Sequence, residues 1–127
     1  MNFQAPQSIE VRQSPRHDRG VFAIKNIRAG ELIEESPVLK FPELDLYSRK
    51  GTLQLANYVF AWSAGTVGLA LGFGSIYNHS YSPNAFYKDT RDSKRYIALT
   101  DIAAGEEITI NYNGDPSDDS PVGFDVK

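Results

Sequence analysis

The chain has 127 residues, of which 41% are hydrophobic and 12% aromatic, so it can bury the core of one domain without a disulfide or a structural metal. It has no cysteine, which excludes thiol nucleophiles and cysteine-ligated zinc, and its net charge of −3 disfavours non-specific binding to nucleic acid. The N-terminus lacks a basic start and no stretch approaches the roughly 18 apolar residues that span a bilayer, so we expect a soluble, cytoplasmic protein without membrane contact.

Short strands separated by turns are predicted along the first half of the chain. Polar and apolar residues alternate over 8–13, which predicts a half-buried strand, and two further strands are expected at 21–25 and 31–35. Residues 37–50 contain two prolines and little periodicity, which predicts a loop or one helical turn. Residues 53–62 carry aromatic side chains at alternate positions and therefore predict a strand with one aromatic face.

The second half continues in the same way as far as Tyr112. Residues 67–73 are small and apolar, and their glycines indicate close backbone packing. Residues 84–88 and 94–99 bracket "DTRDS" and predict a hairpin. After Tyr112 the chain is rich in proline, serine and aspartate, which predicts a loose tail over 114–127 behind a single mainly β domain at 8–113.

A twelve-residue pattern occurs twice. "FAIKNIRAGELI" at Phe22–Ile33 aligns with "IALTDIAAGEEI" at Ile97–Ile108, at a constant offset of 97 − 22 = 75 positions. Each copy contains a glycine turn between strand-like residues. We interpret the repeat as two similar hairpins that pack against one another.

The string "YNHSYSPNA" contains the first set of residues suited to a site. The side chain of Asn78 can donate and accept hydrogen bonds at once, and the Ser-x-Pro turn that follows fixes the short strand before it. His79 by itself would be interpreted as a buried histidine in a turn. The other histidine, His17, lies far away in the sequence, so no ligand-spaced cluster for a metal is present.

The string "GEEITINY" supplies the second set and ends at Tyr112. Alone, Tyr112 would be an ordinary tyrosine at the end of a strand. The two strings in this order resemble the two signatures of SET-domain protein-lysine methyltransferases, especially the small stand-alone viral and bacterial type. The resemblance runs from about Val11 to Asn113.

That resemblance implies a β-clip fold of several small twisted sheets, with a C-terminal stretch that threads beneath a preceding loop like a knot. It implies S-adenosyl-L-methionine as the cofactor, a lysine-bearing protein or peptide, including histones, as the substrate, and Tyr112 as the catalytic residue beside the transferring methyl group. The implied cofactor-binding residues are Arg19, Gly20, Val21, Asn78, His79 and Tyr112. In the family's Gly-x-Gly motif, Asp18 replaces the first glycine here, and aspartate tolerates turn geometry.

The substrate lysine is expected to enter a narrow channel. We predict Tyr58 and Tyr77 as walls of this channel, with aromatic core packing as the alternative for each. Ile110 stands where many family members carry Tyr or Phe, which predicts a roomier channel and di- or trimethylation. The family's cysteine-rich zinc segment is absent, so Phe124 is a candidate for an apolar lid.

Two other functions are considered. A non-catalytic module with the same fold would bind a peptide or an assembly partner, and Asp18 in place of glycine favours it, whereas Asn78, His79 and Tyr112 argue against it. A hydrolase that uses His79 is unsupported because no nucleophile elbow is present. A homodimer is left open as the oligomeric state.

Overall fold

The computed structural model describes residues 3–126 and shows a mainly β protein. No helix in this range has the length and hydrophobicity that crossing a bilayer requires. The described strands are β1 Ile9–Gln13, β2 Arg19–Ala23, β3 Leu32–Pro42, β4 Tyr47–Ser48, β5 Gly51–Thr52, β6 Val59–Ser63, β7 Thr66–Ala70, β8 Asn78–His79, β9 Ala85–Asp89, β10 Ser93–Ala98 and β11 Glu107–Ile110, with 3₁₀ turns at Glu43–Leu46 and Gln54–Tyr58.

The strands form three sheets. Their orders are β1-β2-β11-β8, β6-β7-β3-β10-β9 and β4-β5. All neighbours are antiparallel except β8 and β11, which run parallel. Because β11 lies between β2 and β8, the end of the domain is enclosed by earlier parts of the chain. This position agrees with the expected threading of the C-terminal stretch.

The two larger sheets share one hydrophobic core. Val21 and Ile108 from the first sheet and Tyr96 and Ala98 from the second are at most 1% exposed and belong to the same buried cluster. Burial of such side chains is the main stabilising contribution in a domain of this size. The core therefore fixes β2, β10 and β11, the strands next to the site.

The internal repeat folds as two equivalent strand–turn–strand units. Ile27 and Ile102, which are 75 positions apart, exchange two backbone hydrogen bonds of 2.8 Å. The two units thus pack against each other as predicted. Neither unit is a hairpin, however, because β2 pairs with β11 of the other copy and β3 pairs with β10.

Strand β3 is longer than predicted and includes part of the segment expected to be a loop. Pro37 has no N–H to donate, but its carbonyl accepts a hydrogen bond of 2.9 Å from the Leu71 N–H. Residues 38–42 then pair in register with β7. The proline is tolerated because the strand needs only its carbonyl there.

The strand predicted at 53–62 begins later than expected. Its first half forms the 3₁₀ turn Gln54–Tyr58, and only Val59–Ser63 is extended. The shared aromatic face is confirmed for Phe60 and Trp62, whose rings both face the Lys94 ammonium. Tyr58 instead ends the 3₁₀ turn and is half exposed.

The tail after β11 has no regular secondary structure over 114–126, but it is held in place. Asn111 donates to the carbonyl of Asp118 at 2.6 Å, and Asn113 and Tyr81 both donate to the carbonyl of Ser120. The prediction of a loose tail misses these anchors because they are made by side chains outside it.

Candidate active site

The two sequence motifs meet along one pair of strands. In the parallel pairing of β8 and β11, Asn78 lies opposite Thr109 and His79 lies opposite Ile110. The pairing places two polar side chains, 5% and 4% exposed, at the end of the C-terminal strand. Residues of the two motifs that are 109 − 78 = 31 positions apart in the sequence therefore form one structural unit.

Asn84, the second-last residue of the string "YNHSYSPNA", secures this unit by a further pair of hydrogen bonds to β11. Its side-chain oxygen accepts the Thr109 N–H at 2.9 Å, and its Nδ2 donates to the Glu107 carbonyl at 2.8 Å. The amide thereby replaces a missing strand partner of β11. The role of Asn84 is structural, since it lines neither of the cavities described below.

The Asn78 amide is held by two acceptors. Its Nδ2 donates to the Arg19 carbonyl at 3.0 Å and to Glu107 Oε2 at 2.7 Å. Gly20 borders the same place: a Cβ on Gly20 would collide with Glu107 Oε2 and lie 2.9 Å from Asn78 Nδ2. A larger residue at this position would therefore displace the Glu107 carboxylate or the Asn78 amide from these contacts.

His79 is held in one neutral form. Its Nδ1 accepts the Tyr112 N–H at 2.9 Å, so the ring proton is on Nε2. Burial, and then the positive charge of Arg16, lower the pKa of His79. Its Nε2 is buried and has no hydrogen-bond partner among residues 3–126, although the Phe124 ring lies edge-on at 6.2 Å. A buried donor without a partner is uncommon and is often found where a ligand binds.

Tyr112 is fixed by its hydroxyl as well as by its backbone. Its Oη donates to the Tyr77 carbonyl at 2.6 Å. Burial, and then the negative charge of Glu107, raise the pKa of Tyr112 to about 12. The phenol therefore stays protonated at physiological pH. Because its one hydrogen is donated to the Tyr77 carbonyl, its oxygen can only accept further hydrogen bonds.

Tyr77 is held by a buried carboxylate that the sequence did not indicate. Its hydroxyl donates to Glu34 Oε1 at 2.8 Å, and the Phe73 N–H donates to Glu34 Oε2 at 2.9 Å. The ring stacks on Tyr96 at 4.2 Å. Burial raises the pKa of Glu34. Burial, and then the negative charge of Glu34, raise the pKa of Tyr77 well above its usual range. These contacts fix the carbonyl that accepts the Tyr112 hydroxyl.

A cavity of about 830 Å³ is bordered by Tyr112. It brings together polar groups of the segment before β2, the Asn78–His79 strand and the tail around Phe124. Among the predicted residues, it is lined by Arg19, Tyr58, Asn78, His79 and Tyr112. Its mixture of charged, amide and aromatic groups suits a ligand that carries both a ring and charged groups.

A second cavity of about 360 Å³ is also bordered by Tyr112. Its lining combines five aromatic residues with the charged pair Asp89 and Lys94; the aromatic residues are Tyr58, Phe60, Tyr77, Tyr87 and Tyr112. Asn57, Tyr58, Ser75 and Tyr112 line both cavities. The two spaces therefore adjoin at a shared wall that contains Tyr112.

Comparisons with known proteins agree with this arrangement. The family model for the SET domain matches residues 18–113. A Schizosaccharomyces pombe protein, histone-lysine N-methyltransferase, H3 lysine-37 specific, is 42% identical over 107 residues, which cover 82% of this chain and 72% of that protein. A crystal structure of a candidate histone methyltransferase from Plasmodium falciparum superposes with a TM-score of 0.68 at 27% identity, covering 86% of this chain and 94% of that one.

The chain belongs to the SET-domain family. It is a protein-lysine N-methyltransferase, and its substrate is accordingly a protein or peptide. The two matches are to proteins of a fission yeast and of a malaria parasite. The resemblance to a small viral or bacterial type stays a prediction.

Three residues predicted for the SET-domain site lie outside both cavities. Val21 and Ile110 are fully buried in the core, and Gly20 lies beneath the Asn78 amide. Ile110 is not among the residues that line either cavity, and the wider channel stays a prediction. Its place in the core follows from the burial of β11 on both faces.

Asp18, which stands at the first glycine of the SET-domain Gly-x-Gly motif, has a backbone conformation that favours glycine. Its φ is +38°, in the left-handed region that favours glycine. Aspartate is one of the few residues that visit this region because its short side chain bonds locally. The expectation that aspartate accommodates the turn is confirmed.

The smaller cavity also contains a buried cation that the sequence reasoning missed. The Lys94 side chain is 1% exposed, and its ammonium lies 2.6 Å from Asp89 Oδ1 and 3.8 Å from the centre of the Tyr87 ring. The rings of Phe60 and Trp62 complete an aromatic box around it. Burial lowers the pKa of Lys94, which Asp89 partly offsets. Lys94 and Tyr96 are two positions apart on β10, so their side chains lie on the same face of the strand. This spacing was the signal in the sequence that Lys94 points inward.

Proposed function

We propose that this chain transfers a methyl group from S-adenosyl-L-methionine to a lysine of a histone. The observation that carries the proposal is the shared wall: one cavity suits a nucleoside with charged groups, the other suits an alkyl chain that ends in an amine, and Tyr112 borders both. Catalysis by methyl transfer needs this kind of alignment more than it needs a strong acid or base.

The residues of the larger cavity fit this cofactor. The orphaned Nε2–H of His79 and the adjacent Phe124 ring offer a donor and an aromatic surface for adenine. Asn78 offers its Oδ1 to an ammonium group, because both of its Nδ2 hydrogens are already used. Arg16 and Arg19 supply positive charge for a carboxylate.

When bound, the cofactor would supply a methyl group on a sulfonium, whose S–C bond breaks as the lysine nitrogen forms the new N–C bond in line with it, with S-adenosylhomocysteine as the leaving group. Tyr112 orients the reacting groups, since its hydroxyl hydrogen is committed to the Tyr77 carbonyl and its lone pairs remain for weak polar contacts. The Tyr112 backbone N–H is bonded to His79, a residue of the larger cavity, so the position of Tyr112 is tied to the cavity proposed for the cofactor.

The smaller cavity favours the neutral amine that methyl transfer requires. Free lysine has a pKa near 10.4, and burial in an aromatic cavity disfavours its charged form. Asp89 is the carboxylate in the described lining, and it is paired with Lys94. The tyrosines of the lining hold their protons because burial raises the pKa values of Tyr77, Tyr87 and Tyr112. The proton of the incoming lysine is therefore released to solvent.

A histone is the proposed substrate class for two reasons. The yeast relative carries a histone in its name, and the net charge of −3 suits a basic tail better than it suits a nucleic acid. Lysine 37 of histone H3 is the first candidate to test. The alternative of a non-catalytic binding module is not favoured, because Asn78, His79 and Tyr112 are all arranged around the cavities.

The test is a transfer assay with histone H3 and with an H3 peptide that contains lysine 37. We expect mass spectrometry to detect methyl groups on lysine, and the peptide with that lysine replaced by arginine to stay unmodified if the site is the same. The Tyr112→Phe variant should lose roughly 100-fold in kcat, while its affinity for S-adenosylhomocysteine changes by less than about twofold.

Tyr47→Phe is the control. It also removes one phenolic hydroxyl, but Tyr47 is an exposed residue of β4 that lines neither cavity, so kcat should be unchanged. Full activity in Tyr112→Phe would remove Tyr112 from the mechanism, and a native chain that binds no S-adenosylhomocysteine would overturn the cofactor. The homodimer and the cytoplasmic location stay predictions, the first to be measured by light scattering.

A further inference from the structure

The carboxylate of Glu107 lies between two segments that line the larger cavity. Glu107 stands on β11 opposite Phe22, and its side chain is only 9% exposed. Ser14 Oγ lies 2.8 and 2.9 Å from its two oxygens, Asn78 Nδ2 donates to Oε2 at 2.7 Å, and Arg16 Nε lies 3.5 Å from Oε1. One largely buried acid therefore binds residues from both segments.

The first consequence concerns the orientation of the Asn78 amide. With its two Nδ2 hydrogens on Glu107 and on the Arg19 carbonyl, a rotation of the amide by half a turn would place two oxygens in contact and lose both bonds. The side-chain oxygen is left for a ligand. It is an acceptor, so it suits a donor such as a primary ammonium.

The second consequence concerns the segment 14–19. Ser14 Oγ, which bonds Glu107, also accepts the Arg16 N–H at 3.0 Å, and the Ser14 N–H donates to the Asp18 carbonyl at 3.1 Å. This turn carries residues 16–19 into the cavity wall. Gly20 leaves the space that the Glu107 carboxylate occupies.

We infer that Glu107 is a positioning residue for the amino-acid end of the cofactor, which it aligns through Asn78 and through the segment 14–19. The inference rests on the proposed function. Glu107 is absent from the described lining of the larger cavity, so it acts through these neighbours.

The experiment compares two ligands that differ by one group: S-adenosylhomocysteine and its desamino analogue, in which hydrogen replaces the amino group. The native chain should prefer S-adenosylhomocysteine by about tenfold or more, the usual effect of a hydrogen bond to a charged group. Calorimetric affinities give this preference for each variant without any turnover.

Three variants separate position from charge. Glu107→Gln keeps an oxygen in reach of Asn78 but loses the charge, and it should keep the preference within about threefold of native. Glu107→Asp keeps the charge but withdraws the carboxylate by one methylene, and Glu107→Ala removes it; both should reduce the preference to about twofold or less. Melting temperatures identify any variant that fails to fold. If Glu107→Ala fails to fold, the comparison of Glu107→Asp with Glu107→Gln is sufficient for the test.

The outcomes are distinct. A preference retained in Glu107→Asp and lost in Glu107→Gln would show that charge, and not position, matters, and would overturn the inference. Equal affinity of the native chain for both ligands would also overturn it while leaving the proposed cofactor intact. A native chain that binds neither ligand would overturn the proposed function itself.

Discussion

Two carboxylates with little exposure, Glu34 and Glu107, hold segments that line the two cavities. Glu34 binds the loop 72–77 through the Phe73 N–H and the Tyr77 hydroxyl. Glu107 binds the turn that begins at Ser14. Neither was indicated by the sequence, because glutamate is usually exposed and a buried one becomes evident only from its partners.

His79 makes stability depend on pH. Its folded pKa is lowered, so between that value and the ordinary pKa near 6.5 the unfolded chain binds a proton that the folded chain does not. The stabilisation of the folded chain by neutral His79 is therefore fully present above pH 6.5 and is lost as the pH falls through the folded pKa. We expect urea denaturation to show this loss in the native chain, and a smaller one in His79→Asn, whose Oδ1 can accept the Tyr112 N–H without titrating.

His17→Asn is the control for this pH dependence. His17 is the other histidine of the chain and is exposed, so this variant should follow the native curve. If His79→Asn loses as much stability in acid as the native chain does, the acid sensitivity arises elsewhere.

Asp18 gives a test of backbone strain at the cofactor turn. Glycine accepts a φ of +38° without the steric cost of a Cβ, so Asp18→Gly should be at least as stable as the native chain and should bind S-adenosylhomocysteine within about twofold. Asp18→Ala should be less stable than Asp18→Gly by about 1 kcal/mol in the free energy of unfolding. Equal stabilities from denaturant titration would mean that the turn relaxes.

At the scale of elements, the repeat explains how β2, β3, β10 and β11 are joined. Each copy contributes one strand to each of the two larger sheets, and the two turns bond to each other at Ile27 and Ile102. Gly30 N–H donates to the Ala98 carbonyl and Gly105 N–H to the Ala23 carbonyl, again at equivalent positions. The exchange connects the strand that leads to Tyr112 with the rest of the core.

The equivalence of the two turns predicts equal effects of substitution. Gly30 and Gly105 have φ values of +88° and +92°, and a Cβ at either would meet nothing within 4 Å. Gly30→Ala and Gly105→Ala should each lower the free energy of unfolding by about 1 kcal/mol through backbone strain alone. Chemical denaturation measures both losses. If the loss in free energy of unfolding at one turn is several times that at the other, the two turns are equivalent in geometry but not in their contribution to stability.

At the scale of the whole molecule, the tail closes one side of the larger cavity. Phe124 lies 6.2 Å from the His79 ring and 6.1 Å from the Tyr112 ring, yet its side chain is half exposed. Phe124→Ala should weaken S-adenosylhomocysteine binding by roughly three- to tenfold, the value of one aromatic contact, with little change in melting temperature. Calorimetry and thermal unfolding give the two quantities.

Phe3→Ala is the matched control for the tail, because Phe3 is a partly exposed phenylalanine that lines neither cavity. Its affinity for S-adenosylhomocysteine should equal the native value. Unchanged affinity in Phe124→Ala would mean that the tail does not contribute to the cofactor site.

The sequence by itself determined the features that depend on neighbouring residues or on a motif. The hairpin of β9 and β10, the glycine turns of the repeat and the two strings around Asn78 and Tyr112 were all predicted, and so was the family. Local patterns are sufficient for these features because alternation, turn chemistry and motif spacing act over a few positions.

The tertiary structure alone decided which strands pair and what surrounds each site residue. The exchange of strands between the repeats joins residues 75 positions apart, and the bond from Ser14 to Glu107 joins residues 93 apart. The aromatic box around Lys94 likewise combines β6, β9 and β10. Such contacts follow from which buried faces meet in the core, and a local pattern in the sequence does not specify that choice.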